Sequence, residues 1–423
     1  MSRRQLTHEE ERMRIIGLET VQLEDFGNLV WVRVHTDEGL IGLGETFRNP
    51  EAVCAYIHET CAPRLIGEDP RARTRLAQAL RFDVGNRFQG FPTRSIEIRG
   101  NSAVDIALWD LCGKIFDQSI TTMLGGTVHE SFRLYNTCAN SNYNNKVRTG
   151  YDSQIYSRKT QAPQEITRHE DLLMQVYEPA RLARELLDEG ITAMKIWPFD
   201  VPARESGGRW ITAEQMKEGL WVLEQIRDEV GDAMDILMEY HGLWTLPPAL
   251  EIARATEEFG IFWQEDAVKL DNFDDLQRYA EVSRTRIAGS ENLGTLPWYR
   301  EMFARGTIDV ANFDVAWTGG LTEAQRTSHM ALAHDRTIAP HDCTGPVTLL
   351  ANLQLMAAMP NALIAETVRS HLEGFYKEVM TDVPRVENGR IFPTSGPGLG
   401  AALNSDVMSR PDLRRRISGR ACD

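Results

Sequence analysis

The sequence predicts an α/β protein in which a TIM-type barrel follows a smaller α+β domain. Apolar runs that end in an acidic residue recur at Glu239, Glu265 and Glu291, and these glutamates lie 26 residues apart. One strand–loop–helix–loop unit has about this length, so the spacing is typical of a (β/α)8 barrel. The residues before about 130 lack this alternation and instead resemble short strands followed by helices.

The N-terminal residues 1–130 are expected to form the α+β domain. Short β-rich runs with a turn at 37–39 indicate an antiparallel meander, and the segments after it have helical patterns. An apolar stripe that includes Val104, Ala107, Leu108 and Leu111 predicts burial of the last helix. The expected strands and then helices cover residues 15–23, 29–35, 40–45, 51–63, 70–83 and 102–116.

Residues 131–385 are expected to form the barrel, and residues 386–423 a tail that packs back on the N-terminal domain. Thr212 and Gln215 have the spacing of a capping box at a helix start. A long polar segment at 141–170 is typical of a functional lid or a disordered loop. The predicted strands end, in order, at Cys138, Trp197, Glu239, Glu265, Glu291, Asp314, His341 and Glu366.

Composition and charge narrow the class of protein. The net charge of −15 over 423 residues argues against nonspecific binding to nucleic acid or to anionic membranes. The six cysteines have no CxxC or other zinc-ligand spacing, which is typical of reduced cytosolic thiols. The first 14 residues contain no apolar signal region and no run approaches 18 apolar residues, so we expect a cytoplasmic protein without a membrane span.

The three evenly spaced glutamates are the strongest functional signal. Catalytic groups of TIM-type barrels lie at the C-terminal ends of the strands, so successive strands would bring Glu239, Glu265 and Glu291 to one rim. Each glutamate alone could be an ion-pair partner or a solvated loop residue. Together, three close carboxylates repel one another unless a cation lies among them, and oxygen ligands suit Mg²⁺.

Several motifs in the same order resemble the enolase superfamily, and within it the mandelate racemase subgroup. The resemblance covers residues from about 14 to 410. It rests on the helix at 105–114 followed by Leu124-Gly-Gly126, on Trp263-Gln-Glu265-Asp-Ala, on Gly289-Ser-Glu291-Asn, on Asp314 with Gly319-Gly320, on His341 and on Glu366. The family implies a modified (β/α)7β barrel with an α+β capping domain.

The resemblance also implies chemistry, namely removal of the proton α to a carboxylate with the help of Mg²⁺ bound by the three glutamates. His341 would be the general base and Asp314 would hold its other ring nitrogen. Lys195 could add a positive charge near the substrate carboxylate. Glu366 could either bind that carboxylate or serve as a buried partner of Lys195.

Three positions depart from the usual family pattern. Glu239 stands where an aspartate ligand is usual, and Lys195-Ile-Trp197 stands where a Lys-x-Lys pair is usual, so a second lysine base is absent. His241 stands where asparagine is frequent, which is similar to the acid-sugar dehydratases of the subgroup. His241 would then be the general acid, although a role in orienting a metal ligand is an alternative.

The predicted function is Mg²⁺-dependent dehydration of a sugar acid, an aldonate or aldarate, to a 2-keto-3-deoxy acid. Racemisation, epimerisation or cycloisomerisation of a 2-hydroxy acid is the alternative, and a non-catalytic binding protein is the third possibility. We expect Trp197, Arg48 and Thr46 to contact the substrate, together with loops near 24–28 and 46–50. Relatives usually form homo-oligomers of even number, which predicts such an assembly here.

Overall fold

The computed structural model describes residues 13–82, 95–142, 163–292 and 295–422. The N-terminal elements are β1 (Ile15–Leu23), β2 (Leu29–Thr36), β3 (Ile41–Phe47), α1 (Pro50–Tyr56), α2 (Ala62–Leu65), α3 (Arg73–Phe82), α4 (Ile96–Phe116) and α5 (Ile120–Met123). A π-helical turn, Ile57–Cys61, joins α1 to α2. The predicted order of strands before helices is therefore confirmed for this part of the chain.

Strands and helices then alternate. These elements are β4 (Phe132–Thr137), α6 (Asp171–Tyr177), α7 (Pro179–Asp188), β5 (Ala193–Ile196), α8 (Asp200–Ser206), α9 (Ala213–Val230), β6 (Asp235–Glu239), α10 (Leu246–Thr256), β7 (Trp263–Glu265), α11 (Phe273–Val282), β8 (Ile287–Gly289), α12 (Leu296–Arg305), β9 (Val310–Ala311), α13 (Gly320–Ala333), β10 (Thr337–Ile338), α14 (Pro346–Ala358) and β11 (Ala365–Thr367). The capping box at Thr212 and Gln215 is present at the start of α9.

The tail contains short helices and three strands. These are α15 (Arg369–Glu373), α16 (Phe375–Val379), β12 (Arg385–Glu387), β13 (Arg390–Phe392) and β14 (Leu413–Gly419). The hairpin of β12 and β13 pairs with β4 at the edge of the barrel. β14 pairs antiparallel with β1 over its full length, so the end of the chain returns to the N-terminal sheet.

The N-terminal sheet has the strand order β14–β1–β2–β3, and helix α4 packs against it. Gly42 and Gly44 allow this close contact, because a Cβ there would lie 2.1 and 1.8 Å from backbone oxygens of Ala107 and Ala103. α4 begins at Ile96, earlier than the predicted residue 102. Ser95 caps it by accepting a hydrogen bond from the Ile98 N–H, which extends the helix beyond its apolar stripe.

The barrel strands are parallel and lie in the order β4 to β10 along the sheet, and β11 pairs with β4. Ile338 of β10 forms backbone hydrogen bonds with residues 361 and 363, just before β11, so hydrogen bonding continues around the ring. β9 and β10 have only two residues each, fewer than predicted. Backbone bonding continues beyond them, because the His341 N–H donates to the Phe313 carbonyl at 3.0 Å.

One buried side chain from each barrel strand or its extension forms an apolar layer inside the ring. These residues are Tyr135, Ala193, Leu237, Trp263, Ala288, Val310, Ala339 and Ile364. Side chains repeat with period two along a strand, so the residues two positions later form the next layer toward the C-terminal rim. That layer includes Lys195, Glu239, Glu265, His341 and Glu366.

Candidate active site

A cavity of about 620 Å³ lies where the barrel rim meets the N-terminal domain. The barrel contributes Lys195, Glu239, Glu291 and His341 to its wall. The N-terminal domain contributes residues 27–28 and 47–52, which include part of each of the two loops predicted to contact substrate. Of the predicted long segment at 141–170, Asn142 lines the cavity, whereas residues 143–162 lie outside the described part of the chain.

The three glutamates meet as the spacing predicted. Carboxylate oxygens of Glu239, Glu265 and Glu291, one from each residue, lie within 4.8 Å of one another. The Oε2 atom of Glu239 is buried without a hydrogen-bond partner, and burial and the nearby Glu265 carboxylate raise the pKa of Glu239 well above its ordinary value. Oxygen donors that repel one another in a buried site fit a hard divalent cation, so these residues could hold a metal ion.

Lys195 lies among the carboxylates of this rim. Its Nζ atom is 2.9 Å from Glu265 Oε1, 2.8 Å from Glu366 Oε1 and 3.8 Å from Glu239 Oε2. Burial disfavours the ammonium, but the Glu265 and Glu366 carboxylates outweigh it and raise the pKa of Lys195 well above its ordinary value. Glu366 also accepts hydrogen bonds from the Thr137 hydroxyl and the Asp342 N–H. The arrangement matches the predicted alternative for Glu366, a buried partner of Lys195.

His341 and Asp314 form the predicted pair. His341 Nδ1 lies 2.8 Å from Asp314 Oδ2, and the Ala316 N–H donates to Asp314 Oδ1 at 2.7 Å. The other ring nitrogen, Nε2, lies 2.8 Å from Glu291 Oε2. Burial disfavours the imidazolium, but the Glu291 carboxylate outweighs it and raises the pKa of His341 well above its ordinary value. The base candidate therefore faces the glutamate cluster.

His241 reaches the same cavity by a different backbone path from the one predicted. The strand ends at Glu239, and His241 has a left-handed backbone with φ of 53°, so the period-two rule does not apply to this pair. The His241 N–H donates to Glu239 Oε1, and His241 Nδ1 lies 2.9 Å from Asp200 Oδ2. The Trp197 ring packs edge-on against the imidazole, with 5.8 Å between the ring centroids.

The residues predicted to contact substrate have different positions. Trp197 and Arg48 line the cavity, as a substrate contact requires. Thr46 does not line it: its side chain is buried, and its hydroxyl donates to the Ala316 carbonyl at 3.0 Å. The predicted substrate contact of Thr46 is therefore wrong in this structure, because its hydroxyl connects β3 to the loop after Asp314.

Sequence reasoning missed two residues that contact the histidines. Asp200 pairs with His241, and Cys343 has its Sγ atom 3.4 Å from His341 Nε2. Asp200 follows the second barrel strand by four residues, so an acid near a strand end was an available signal. Cys343 lies two residues after His341 on a loop without a repeating pattern, and no sequence signal marks its contact.

The comparisons with known proteins agree with this fold. Residues 6–125 match the family described as mandelate racemase / muconate lactonizing enzyme, N-terminal domain. Residues 178–407 match the family described as enolase C-terminal domain-like. The chain therefore belongs to the enolase superfamily, and to its mandelate racemase subgroup, whose members are enzymes that typically use a divalent metal.

Particular relatives extend over nearly the whole chain. A crystal structure of a mandelate racemase subgroup enolase from Agrobacterium tumefaciens is 40% identical, with a TM-score of 0.82 and coverage of 96% of this chain and 99% of that one. An arabinonate dehydratase of Saccharolobus solfataricus is 26% identical and covers 95% of this chain and 94% of its own. A D-galactarolactone cycloisomerase of Agrobacterium fabrum is 27% identical over 90% of both chains.

No helix in the described ranges is long and apolar enough to cross a membrane. The six cysteines are free thiols, and all except Cys422 are buried.

Proposed function

We propose that the protein is a Mg²⁺-dependent dehydratase that acts on an aldonate or aldarate. It would remove the proton α to the carboxylate and eliminate the 3-hydroxyl, which gives a 2-keto-3-deoxy acid. The observation that carries the proposal is the pair of histidines that line one cavity: His341, which lies beside the glutamate cluster, and His241, which extends from a different barrel strand. Relatives with dehydratase names, such as the arabinonate dehydratase, support the same reaction.

The proposed proton abstraction belongs to His341. Its Nδ1 is held by Asp314, which leaves Nε2 toward the glutamate cluster as the atom that accepts the proton. Mg²⁺ held by Glu239, Glu265 and Glu291 would stabilise the negative charge that develops on the substrate carboxylate. It would also offset the Glu291 charge that raises the pKa of His341, which favours the neutral imidazole that a base requires. The imidazolium formed at His341 keeps its contact with the buried Asp314 carboxylate, which offsets the cost of the new charge.

The proposed acid is His241, which would give a proton to the leaving hydroxyl so that it departs as water. His241 extends from the third barrel strand and His341 from the seventh, so they approach a substrate from opposite sides. Elimination would therefore be anti.

Lys195 argues for dehydration over racemisation by two bases. Its Nζ pairs with Glu366 as well as Glu265, and Glu366 is not one of the three candidate metal ligands. A cation among the glutamates would therefore leave the Glu366 carboxylate to favour the ammonium over the free amine that a base requires. Lys195 instead supplies positive charge at the end of the cavity where a substrate carboxylate would bind. Cycloisomerisation remains the second candidate, because the relative from Agrobacterium fabrum carries that name and the first proton abstraction would be the same.

A library of sugar acids incubated with Mg²⁺ tests the reaction class. We expect a 2-keto-3-deoxy product from at least one acid, detected by a colour reaction for 2-keto acids and by mass. In deuterium oxide, the recovered substrate should also be examined for exchange at C2. Exchange at C2 without any keto product would contradict dehydration and favour racemisation or cycloisomerisation.

The His341→Asn variant tests the base. Loss of a positioned general base typically lowers the rate by about 10²–10⁴-fold, so exchange at C2 and elimination should both fall by this factor. Mg²⁺ should still raise the Tm, because the three glutamates are unchanged. Exchange at the wild-type rate would exclude His341 as the base.

The His241→Asn variant separates the two proton transfers. We expect elimination to fall by about 10²-fold or more while exchange at C2 continues, because only the acid is missing. Equal loss of elimination and exchange would remove the assignment of His241 as the acid.

The cytoplasmic location and the even-numbered homo-oligomer are also proposals. Cell fractionation tests the location. Light scattering on the purified protein tests the assembly, and an odd number of subunits would contradict it.

A further inference from the structure

Each of the two cavity histidines lies next to a buried aspartate. His341 has Asp314, which the sequence predicted, and His241 has Asp200, which it did not. Both separations between Nδ1 and the carboxylate oxygen are short, 2.8 and 2.9 Å. The His241–Asp200 contact has an ion-pair distance, but Nδ1 of His241 does not meet the geometry of a hydrogen bond, whereas the contact of His341 does. Catalytic hydrogen bonds are often poorly aligned before substrate binds and tighten in the complex.

The backbone and the neighbouring ring restrict where the His241 imidazole can lie. The left-handed φ of His241 is rare for a residue other than glycine, and the hydrogen bond from its N–H to Glu239 holds this conformation. Trp197 packs edge-on against the ring. The His241 side chain is 24% exposed, yet its Nδ1 atom is buried. Because His241 lines the cavity and its Nδ1 is buried, the exposed part of the side chain is among the remaining ring atoms.

Asp200 is well placed to hold that ring. It is the first residue of α8, and its side chain is only 8% exposed. Arg204, one turn later, approaches the same Oδ2 atom at 3.6 Å, which is an ion-pair distance rather than a hydrogen bond. The other oxygen, Oδ1, is buried without a hydrogen-bond partner. The His241 Nδ1 atom, at 2.9 Å, is therefore closer to Asp200 Oδ2 than the Arg204 guanidinium is.

We propose that Asp200 is the positioning residue of His241 in the proposed dehydration. Asp200 holds Nδ1 as the nitrogen bound by the protein, so that Nε2 points at the leaving hydroxyl. In the elimination step the C3–O bond breaks, the proton on Nε2 moves to the departing oxygen, and water leaves. Asp200 takes no proton. The inference rests on the proposed role of His241 as the acid, and it adds a supporting residue that lies outside the glutamate cluster.

The Asp200→Asn variant tests this proposal, because it keeps the side-chain shape and removes the charge. Elimination and C2 exchange are measured on the same sugar acid with Mg²⁺. We expect kcat for elimination to fall about 10–100-fold with little change in KM, which is the usual effect of losing such a supporting partner. C2 exchange by His341 should remain within about twofold. Asp200→Glu should restore part of the elimination rate.

Asp274→Asn is the matched control. Asp274 is an exposed carboxylate paired with Arg305, and it also loses one charge, but it lies outside the cavity lining. This control should leave both elimination and exchange unchanged. An elimination rate for Asp200→Asn equal to the wild type, or an equal loss of exchange and elimination, would overturn the positioning role.

A crystal structure of Asp200→Asn with Mg²⁺ gives a readout that does not need the reaction. We expect the His241 ring to leave its wild-type rotamer, and an unmoved ring would overturn the inference. If the wild-type enzyme forms no keto product, the proposed function fails. The ring position then still decides whether Asp200 positions His241.

Discussion

Buried carboxylates occupy two regions of this molecule, and their surroundings differ. At the barrel rim, Glu239, Glu265 and Glu291 face one another and Lys195. Where the two domains meet, Glu45 accepts hydrogen bonds from Trp31 Nε1 and from the N–H groups at the start of α14. Asp105 likewise accepts from the N–H and hydroxyl of Thr322 at the start of α13.

The difference lies in which groups offset the cost of burial. Burial raises the pKa of both Glu45, to about 7, and Asp105, to about 6, but helix N-termini supply donors that stabilise these acids and join the domains. At the rim, neighbouring carboxylates oppose one another and Glu239 Oε2 has no donor. We infer that donors offset part of the cost of burial at the interface, whereas at Glu239 this cost remains until a cation binds.

The largest expected effect is at the rim, in Glu239→Gln. The variant removes one carboxylate from the cluster, so Mg²⁺ binding measured by calorimetry should be lost and activity should fall by about 10³-fold or more. Without metal, its Tm should equal or exceed that of the wild type, because repulsion with Glu265 is removed. In the wild type, Mg²⁺ should raise the Tm with concentration, as for any ligand of the folded state.

Asp274→Asn again serves as the control, because it also removes one negative charge, but from the protein surface. It should keep both the Mg²⁺-dependent rise in Tm and the activity. A metal-free Tm for Glu239→Gln several degrees below the wild type would show that the rim acids stabilise the fold, and the contrast between the two regions would be lost.

The sequence predicted the rim well for a physical reason. Apolar runs define where barrel strands end, and the parallel strands bring those ends to one side of the sheet. Glu239, Glu265, His341 and Glu366 each lie two residues after a side chain of the buried layer, so period two sets their direction. The strand spacing of about 25 residues therefore predicted both the fold class and which residues would meet at the rim.

Two other features could not be read from that pattern, because one depends on a residue beyond its strand and the other on how the two domains pack. The left-handed backbone of His241 turns its ring toward Asp200, and neither periodicity nor spacing encodes a single positive φ. Thr46 lies in a strand that the sequence predicted approximately. Whether the Thr46 hydroxyl faces the cavity or donates to the Ala316 carbonyl depends on how the two domains pack together.

A smaller effect is expected at the domain interface, where Asp105 should make the stability of the folded state depend on pH. Its pKa in the folded state is about 6, above its ordinary value of 3.8, because burial outweighs the two donors of Thr322. The folded state therefore holds the proton more tightly than the unfolded state. This contribution to stability is complete below about pH 4 and is lost as the pH rises through about 6.

The Asp105→Asn variant mimics the protonated form and tests whether stability falls as the pH rises. Two pKa units correspond to about 3 kcal/mol, so the free energy of unfolding of the wild type should fall relative to the variant by up to this amount between pH 4 and 7. Urea denaturation at several pH values measures it. A wild type that gains stability relative to the variant over this range would show that the Asp105 carboxylate is favoured in the folded state.

The smallest expected effect is that of Thr46→Val. This variant tests whether Thr46 stabilises the domain interface or contacts substrate in the cavity. Valine keeps the shape but removes the hydroxyl that donates to the Ala316 carbonyl, so the free energy of unfolding should fall by about 1–3 kcal/mol. KM should stay within about twofold of the wild type, because Thr46 does not line the cavity. Thr46→Ser keeps the hydroxyl and should resemble the wild type in both measurements. A tenfold rise in KM for valine with unchanged stability would instead restore Thr46 as a substrate contact and move this part of the interface into the site.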